Sequence, residues 1–209
     1  SVMRSEKTIL RADLNVLVID ATAGVTTQDK KIAGLIQEAK KPAVIVLNKW
    51  DLVAESGRHD PDLVREHVER VKRELFFLDY APVIVLSAKT GDNVRRLFTM
   101  VEKVREHSTR RAGTGELNRV VRAAIERQAP ATKGNKRFKV LYITQVNESG
   151  PSAIKPPQFV LFVNDPRLLM DSYVNYLCKR IRDKWEYPGL PILLRLRGRE
   201  GQNANAREN

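Results

Sequence analysis

Ala43-Val44-Ile45-Val46-Leu47 runs directly into Asn48-Lys49-Trp50-Asp51. Five apolar, mostly β-branched residues bounded by Pro42 and a polar turn predict a strand buried on both faces, the kind found in parallel sheets. Upstream, Asn15–Asp20 (NVLVID) predicts a second such strand. Downstream, Val83–Leu86 (VIVL), entered through Pro82, predicts a third. Helical patterns fill the gaps. Gln28–Ala39 places Ile32, Leu35, Ile36 and Ala39 on one face. Asp62–Leu78 carries Leu63, Val64, Val68, Val71, Leu75 and Leu78 at helical spacing, and Gly91–Val104 turns Val94, Leu97, Phe98, Val101 and Val104 inward. Buried strands alternating with helices predict a doubly wound α/β sheet.

The pattern changes after Ser108–Gly115 (STRRAGTG), a polar stretch with the composition of a linker. Glu116–Arg127 predicts a helix and Phe138–Val146 alternates like a strand. Asn147–Pro157 is a loop, and Phe159–Val163 a second strand. Asn164 or Asp165 then caps a helix that starts at Pro166 and runs to about Lys184, and Ile192–Leu196 is a last strand. The order α-β-β-α-β predicts a small α+β domain. The expected boundaries are 1–110, 111–197 and a polar tail at 198–209.

The 209 residues hold 37 basic and 25 acidic side chains, a net charge of +12. That surplus points to a polyanionic partner and says nothing about fold. Residues 1–112 contain 20 basic and 16 acidic side chains, against 17 and 9 in residues 113–209, so the excess is concentrated in the second part. The longest apolar runs reach about a quarter of a membrane span. The opening SVMRSEK is not followed by an apolar signal region. Cys178 is the only cysteine and falls on an apolar helical stripe, and the three histidines (His59, His67, His107) form no ligand-like pair. No membrane partner and a cytoplasmic location are therefore expected, with no metal held by this stretch.

The turn Asn48-Lys49-Trp50-Asp51 sits at the carboxyl end of a parallel strand, where open α/β sheets bind ligands. Its chemistry suits guanine. The Asp51 carboxylate can accept from the ring N1–H and the exocyclic amino group together, two donors that adenine lacks in that place, and such a site rejects the wrong base by leaving a polar group unpaired. Asn48 would tie neighbouring loops, and the Lys49 stem would lie along the base face. Ser87-Ala88-Lys89 follows the third strand at the corresponding turn. There the Ala88 N–H would reach the purine O6 and Ser87 would brace the loop.

N-K-x-D and S-A-K, each behind a hydrophobic strand, resemble the fourth and fifth motifs of translation-factor-like GTPases. The stretches VLVIDATAGVTTQDKKIAG and AVIVLNKWDLV closely resemble the second GTPase domain of the bacterial tandem GTPase family EngA/Der, including the Trp within N-K-W-D. YITQV, PPQFVLFVNDPRLL, SYVNYL and GLPILLRLR resemble that family's KH-like domain. The resemblance implies a partial P-loop-type GTPase domain followed by a small α+β KH-like domain. It also implies GTP/GDP as ligand, with Mg²⁺ for the full-length protein only. Hydrolysis would serve large-subunit ribosome assembly, and the partners would be rRNA and another GTPase domain in cis.

Departures from the family pattern shape the expectation. The sequence contains no G-x-x-x-x-G-K-[ST] pattern, and Asp20–Gly24 (DATAG) has D-x-x-x-G spacing where the family's switch has D-x-x-G. The chain is therefore expected to begin after the switch region, to carry no catalytic residue, and to be inactive by itself. Gly198–Gly201 (GREG) falls after the last strand, away from where a KH domain clamps RNA. RNA contact is expected instead from Lys133, Lys136, Arg137 and Lys139, from Lys179, Arg180, Arg182 and Lys184, and from Arg195, Arg197 and Arg199. Tyr142, Phe159, Phe162, Tyr173, Tyr176, Trp185 and Tyr187 are expected in the core. Two alternatives remain at this point: a non-enzymatic rRNA-binding module, and an Era-like GTPase with its own KH domain.

Overall fold

The computed structural model describes residues 2–54, 60–130, 137–146 and 152–198. The chain divides into two compact units. The first comprises Ser1–Ser108 with Pro151–Pro156 and Tyr187–Pro191, and the second comprises Thr109–Gly150, Pro157–Glu186 and Ile192–Asn209.

The first unit is α/β. Strands β1 (Asn15–Asp20), β2 (Ala43–Asn48) and β3 (Val83–Val85) form a parallel sheet in that order. Five of the six β2 residues are buried, as expected of a central strand covered on both faces. β1 lies at the edge and alternates, with Leu17 and Ile19 in the core and Val16 and Val18 exposed. Helix α1 (Val2–Arg11), not anticipated from the sequence, contributes Ile9 to the core. Helix α2 (Thr27–Glu38) starts with a reciprocal cap: Thr26 Oγ1 accepts from the Asp29 amide while the Asp29 carboxylate accepts from the Thr26 amide.

Two expected helices are corrected. The helix expected over 62–78 ends as α3 (Pro61–Glu74). Leu75 leaves helical geometry at φ −113°, ψ 38°, and a 3₁₀ turn over Phe76–Leu78 buries Leu78 while Phe76 faces solvent. The helix expected over 91–104 is α4 (Val94–Ser108), because Gly91 and Asn93 both have positive φ and delay its start. Val104 is fully buried on α4, whereas Phe98 points outward at 66% exposure, contrary to the inward face assigned to it.

Both late segments dock within the first unit. Ser152 Oγ and the Ala153 amide donate to Asp13 Oδ1 at 2.7 and 3.1 Å, and these bonds, the Ser152 hydroxyl first, hold the Asp13 carboxyl below its usual range. The Tyr187–Pro191 strap pairs with the start of β2: the Ala43 amide donates to Gly189 O at 2.9 Å, and the Gly189 amide donates to Tyr80 O at 2.8 Å. Gly189 has φ +71°, and a Cβ there would lie 2.6 Å from Val104 Cγ2 and 3.1 Å from Ala43 O, so glycine is required twice over.

The second unit is α+β. Helices α5 (Thr114–Arg127) and α6 (Asp171–Lys184) accompany a mixed sheet of β4 (Val140–Val146), β5 (Gln158–Val163) and β6 (Leu193–Arg197), ordered β4-β5-β6. β4 and β5 are antiparallel, β5 and β6 parallel. The helix expected from Pro166 is corrected. Asp165 caps a 3₁₀ turn over Pro166–Leu168, Leu169 and Met170 return to extended geometry, and α6 then begins. Ile143, Phe159, Leu161 and Val163 form the buried face of the sheet. Asn118 of α5 pairs with β4 as a strand would. Its Nδ2 donates to Ile143 O at 2.8 Å and its Oδ1 accepts from the Ile143 amide at 3.0 Å.

Candidate functional site

The polar turns after β2 and β3 meet at the carboxyl edge of the parallel sheet. Trp50 sets the first turn. It is 2% exposed and meets the His67 ring edge-on, with centroids 5.1 Å apart at 89°. To turn this large side chain inward directly after a strand, Lys49 takes a left-handed conformation (φ 65°, ψ 35°) and a short 3₁₀ turn covers Trp50–Leu52. That backbone cost is repaid by burying the indole, and the neighbours Lys49 and Asp51 are left at the sheet edge.

The second turn is held from within. Ser87, 1% exposed, donates from its amide to Asp92 O and accepts from the Gly91 amide at its carbonyl and the Thr90 amide at its hydroxyl. The two turns are joined by three bonds. Ser87 Oγ donates to Asp51 Oδ1 at 2.6 Å, the Ala88 amide donates to Asn48 Oδ1 at 2.9 Å, and the Trp50 amide donates to Leu86 O at 3.2 Å. The structure thus brings Asn48, Asp51, Ser87 and Ala88 into one hydrogen-bonded group, with Lys89 exposed beside it. The Ala88 amide, expected to reach a purine oxygen, is engaged by Asn48 here.

Lys49 has a partner that the sequence did not suggest. Its Nζ lies 2.6 Å from Asp20 Oδ2. Asp20 also accepts from the Thr22 amide and hydroxyl at 2.9 and 2.7 Å. The Lys49 bond first, then the two from Thr22, hold the Asp20 carboxyl far below its usual range, and Asp20 in turn raises Lys49. The pairing follows from strand register, which local sequence does not carry: Asp20 ends β1 and stands opposite Asn48 at the end of β2.

Chemically, the group combines a fixed carboxylate, a fixed cation and a backbone amide. An ionised carboxylate has roughly four lone-pair positions. One Asp51 oxygen takes the Ser87 hydroxyl, so capacity remains for two further donors such as the N1–H and amino group of guanine. These residues fit a guanine base. Among the described residues no group of three or more His, Cys, Asp or Glu side chains could hold a metal ion.

Residues 3–107 match the family model of the elongation factor Tu GTP-binding domain. The chain belongs to this GTP-binding domain family. Residues 111–197 of this member match a second model, the C-terminal KH-domain-like domain of EngA bacterial GTPase enzymes. Similar curated proteins include GTPase Der of Akkermansia muciniphila, 42% identical over 201 residues, and GTPase Der of Agathobacter rectalis, 40% identical over 192. The matches cover 95% and 92% of this chain but 43% and 41% of those proteins. The chain thus spans less than half the length of these relatives. Among solved structures, translation elongation factor SelB from Methanococcus maripaludis in its apo form overlays on 49% of this chain and 22% of its own, at 23% identity and a TM-score of 0.42.

The basic residues of the second unit are placed unequally. Lys133, Lys136 and Arg199, and most of the GREG tetrapeptide, lie outside the described residues. Arg137 and Lys139 are exposed at the approach to β4. On α6, Lys179 is exposed. Arg180 pairs with Asp183 at 3.0 Å and lies 5.6 Å over the Tyr176 ring, Arg182 is half-buried, and Lys184 pairs with Glu116 at 2.9 Å. Arg195 and Arg197 are exposed on β6 and make no ion pair among the described residues. Of the aromatic residues expected in the core, Phe159, Tyr173, Trp185 and Tyr187 are buried. Tyr142 is not, at 46% exposure.

No helix among the described residues is long and apolar enough to cross a membrane.

Proposed function

We propose that this chain supplies the guanine-recognition part of a GTP hydrolase that acts in assembly of the large ribosomal subunit, together with a KH-like domain that contacts rRNA. The observation that carries the first half is the Ser87–Asp51 bond, which fixes a carboxylate at the carboxyl edge of a parallel sheet with the Ala88 amide beside it. Asn48, Lys49, Asp51, Ser87, Ala88 and Lys89 are the base-binding residues. Asp51 accepts from the base, Lys49 lies along it while Asp20 holds its ammonium, and Asn48 keeps the two turns together. Hydrolysis and Mg²⁺ binding belong to the full-length protein, since these 209 residues contain no phosphate-cradling glycine loop.

Saturation-transfer NMR with GDP and ADP tests this on the chain as it stands. Weak, Mg²⁺-independent binding of GDP, with ADP bound far less, is the expected result. Equal transfer to both nucleotides would overturn base recognition. Tight Mg²⁺-dependent binding of GDP would show that the chain also holds the phosphates.

The rRNA contact draws on the concentration of positive charge in residues 113–209 and on the exposed Arg137, Lys139, Arg195 and Arg197. Binding to rRNA fragments should fall steeply with salt, as phosphate-driven association does. No binding at low salt would make the basic surface a protein contact instead.

A further inference from the structure

The face of the second sheet opposite its core carries a partly exposed aromatic and arginine platform, with Tyr142, Arg195 and Arg197 exposed and Phe162 half-buried. Strand register places Tyr142 opposite Phe162 and Phe162 opposite Arg197, so these three form one row across β4, β5 and β6. A second row, Thr144–Val160–Arg195, lies beside it on the same face. The Tyr142 and Phe162 rings are stacked, with centroids 4.2 Å apart and planes within 16°. The sheet's core face is elsewhere, on Ile143, Phe159, Leu161 and Val163. A sheet with one solvated face ordinarily places polar side chains there. This one places two aromatic rings and a valine beside Thr144, flanked by two arginines that make no ion pair among the described residues.

We infer that this face binds single-stranded RNA by stacking unpaired bases on the Tyr142–Phe162 pair, with Arg195 and Arg197 serving the phosphates or stacking on the bases themselves. This rests on the proposed RNA contact of the second unit and names its site and substrate form. Stacked rings offer a flat apolar surface that fits the face of any base, and cations along the next strand suit a polyanion. A duplex hides its base faces, so the platform selects unpaired nucleotides. The α6 cluster serves less well, because Arg180 and Lys184 are already committed to Asp183 and Glu116.

Fluorescence anisotropy of a labelled single-stranded 12-mer oligoadenylate against the 209-residue chain tests the inference, with the same oligonucleotide annealed to its complement as control. Tyr142→Leu and Phe162→Leu keep an apolar side chain on an exposed or half-exposed position, and circular dichroism checks their folding. Each should weaken single-strand binding by roughly fivefold or more while leaving the salt slope unchanged, since stacking is not a phosphate contact. Arg195→Ala with Arg197→Ala should weaken binding and flatten the salt slope. Ultraviolet crosslinking should label peptides containing Tyr142 or Phe162. If the leucine variants bind as the parent does while the arginine variants weaken, the platform is refuted and the RNA contact stands. If the duplex binds as well as the single strand, stacking is likewise refuted. If the parent chain binds no RNA at 50 mM salt, roughly the regime where phosphate contacts are strongest, both ideas fall and the face is a protein-docking surface.

Discussion

Ser87 donates its hydroxyl to Asp51 across two loops that are 36 residues apart in sequence, at 2.6 Å, with the serine almost wholly buried. The bond aims the carboxylate before any base arrives. Hydrogen bonds to a charged group contribute about 1.5–3 kcal/mol. Ser87→Ala should therefore lower unfolding stability by about that amount in urea titrations and weaken GDP relative to the parent in the NMR experiment. A variant as stable as the parent would show that the Asn48–Ala88 and Trp50–Leu86 bonds suffice to hold the loops.

Asp20 and Lys49 predict a stability difference that depends on pH at both ends. The Asp20 carboxyl is depressed in the folded chain, first by Lys49 and then by Thr22, so its contribution is present above the unfolded value of about 3.9 and is lost as pH falls below it. Lys49 is raised by Asp20, so the same pair loses its contribution as pH rises past about 10.4. Asp20→Asn should be less stable than the parent between those limits, with the gap closing on either side. Thermal melts at pH 3, 7 and 11, values roughly spanning that window, read this directly. A gap that is the same at all three would rule the ion pair out as its cause.

Tyr173 gives an alkaline signal in the second unit. Burial, and then the neighbouring Tyr176, push its hydroxyl up to about 12, and it donates to Gln128 O at the end of α5. A raised tyrosine stabilises the fold below its unfolded value of about 10 and ceases to do so as pH climbs through the folded value. Tyr173→Phe should cost about 1 kcal/mol at neutral pH for the lost hydrogen bond. It should also remove part of the parent's stability loss above pH 10, followed by circular dichroism during base titration. An unchanged alkaline limb would refute the assignment.

Gly189→Ala should cost about 1–3 kcal/mol or more, from the positive φ and from overpacking against Val104. Gly189→Ala with Val104→Ala should recover the steric part and leave the backbone part. If the double variant is no better than additive, the side-chain clash is not the cause.

Much of this was legible in the sequence, and the parts that were not share a cause. The three parallel strands announced themselves because each is a short β-branched run closed by a turn, and the turns after β2 and β3 carried the residues that the structure gathers at one edge. Local patterning missed what depends on register. Asp20 reads from sequence only as the end of a strand and part of a motif with the wrong spacing, and it is β1's register that aligns it with the turn after β2. Tyr142 and Phe162 looked like core because apolar content does not say which side of a sheet is covered. Phe98 fits a helical stripe, yet α4 is rotated so that Val104 takes the buried position. The break between Leu168 and Asp171 was missed because Asp165 and Pro166 are equally good at starting a 3₁₀ turn or a helix. The strap at Tyr187–Pro191 buries Tyr187 and Leu190, but five residues are too short to show a period, and its pairings with Ala43 and Tyr80 use backbone groups that no side chain announces.

That strap also governs the order in which the chain can assemble. The amide of Ala43 waits for the carbonyl of Gly189, which follows it by most of the sequence. Contacts of such long range are formed late, because closing the loop must precede any reward for closing it. During synthesis α5, β4, β5 and α6 of the second unit emerge before Tyr187–Pro191, so the α/β unit receives this strap only after most of the other unit has been made.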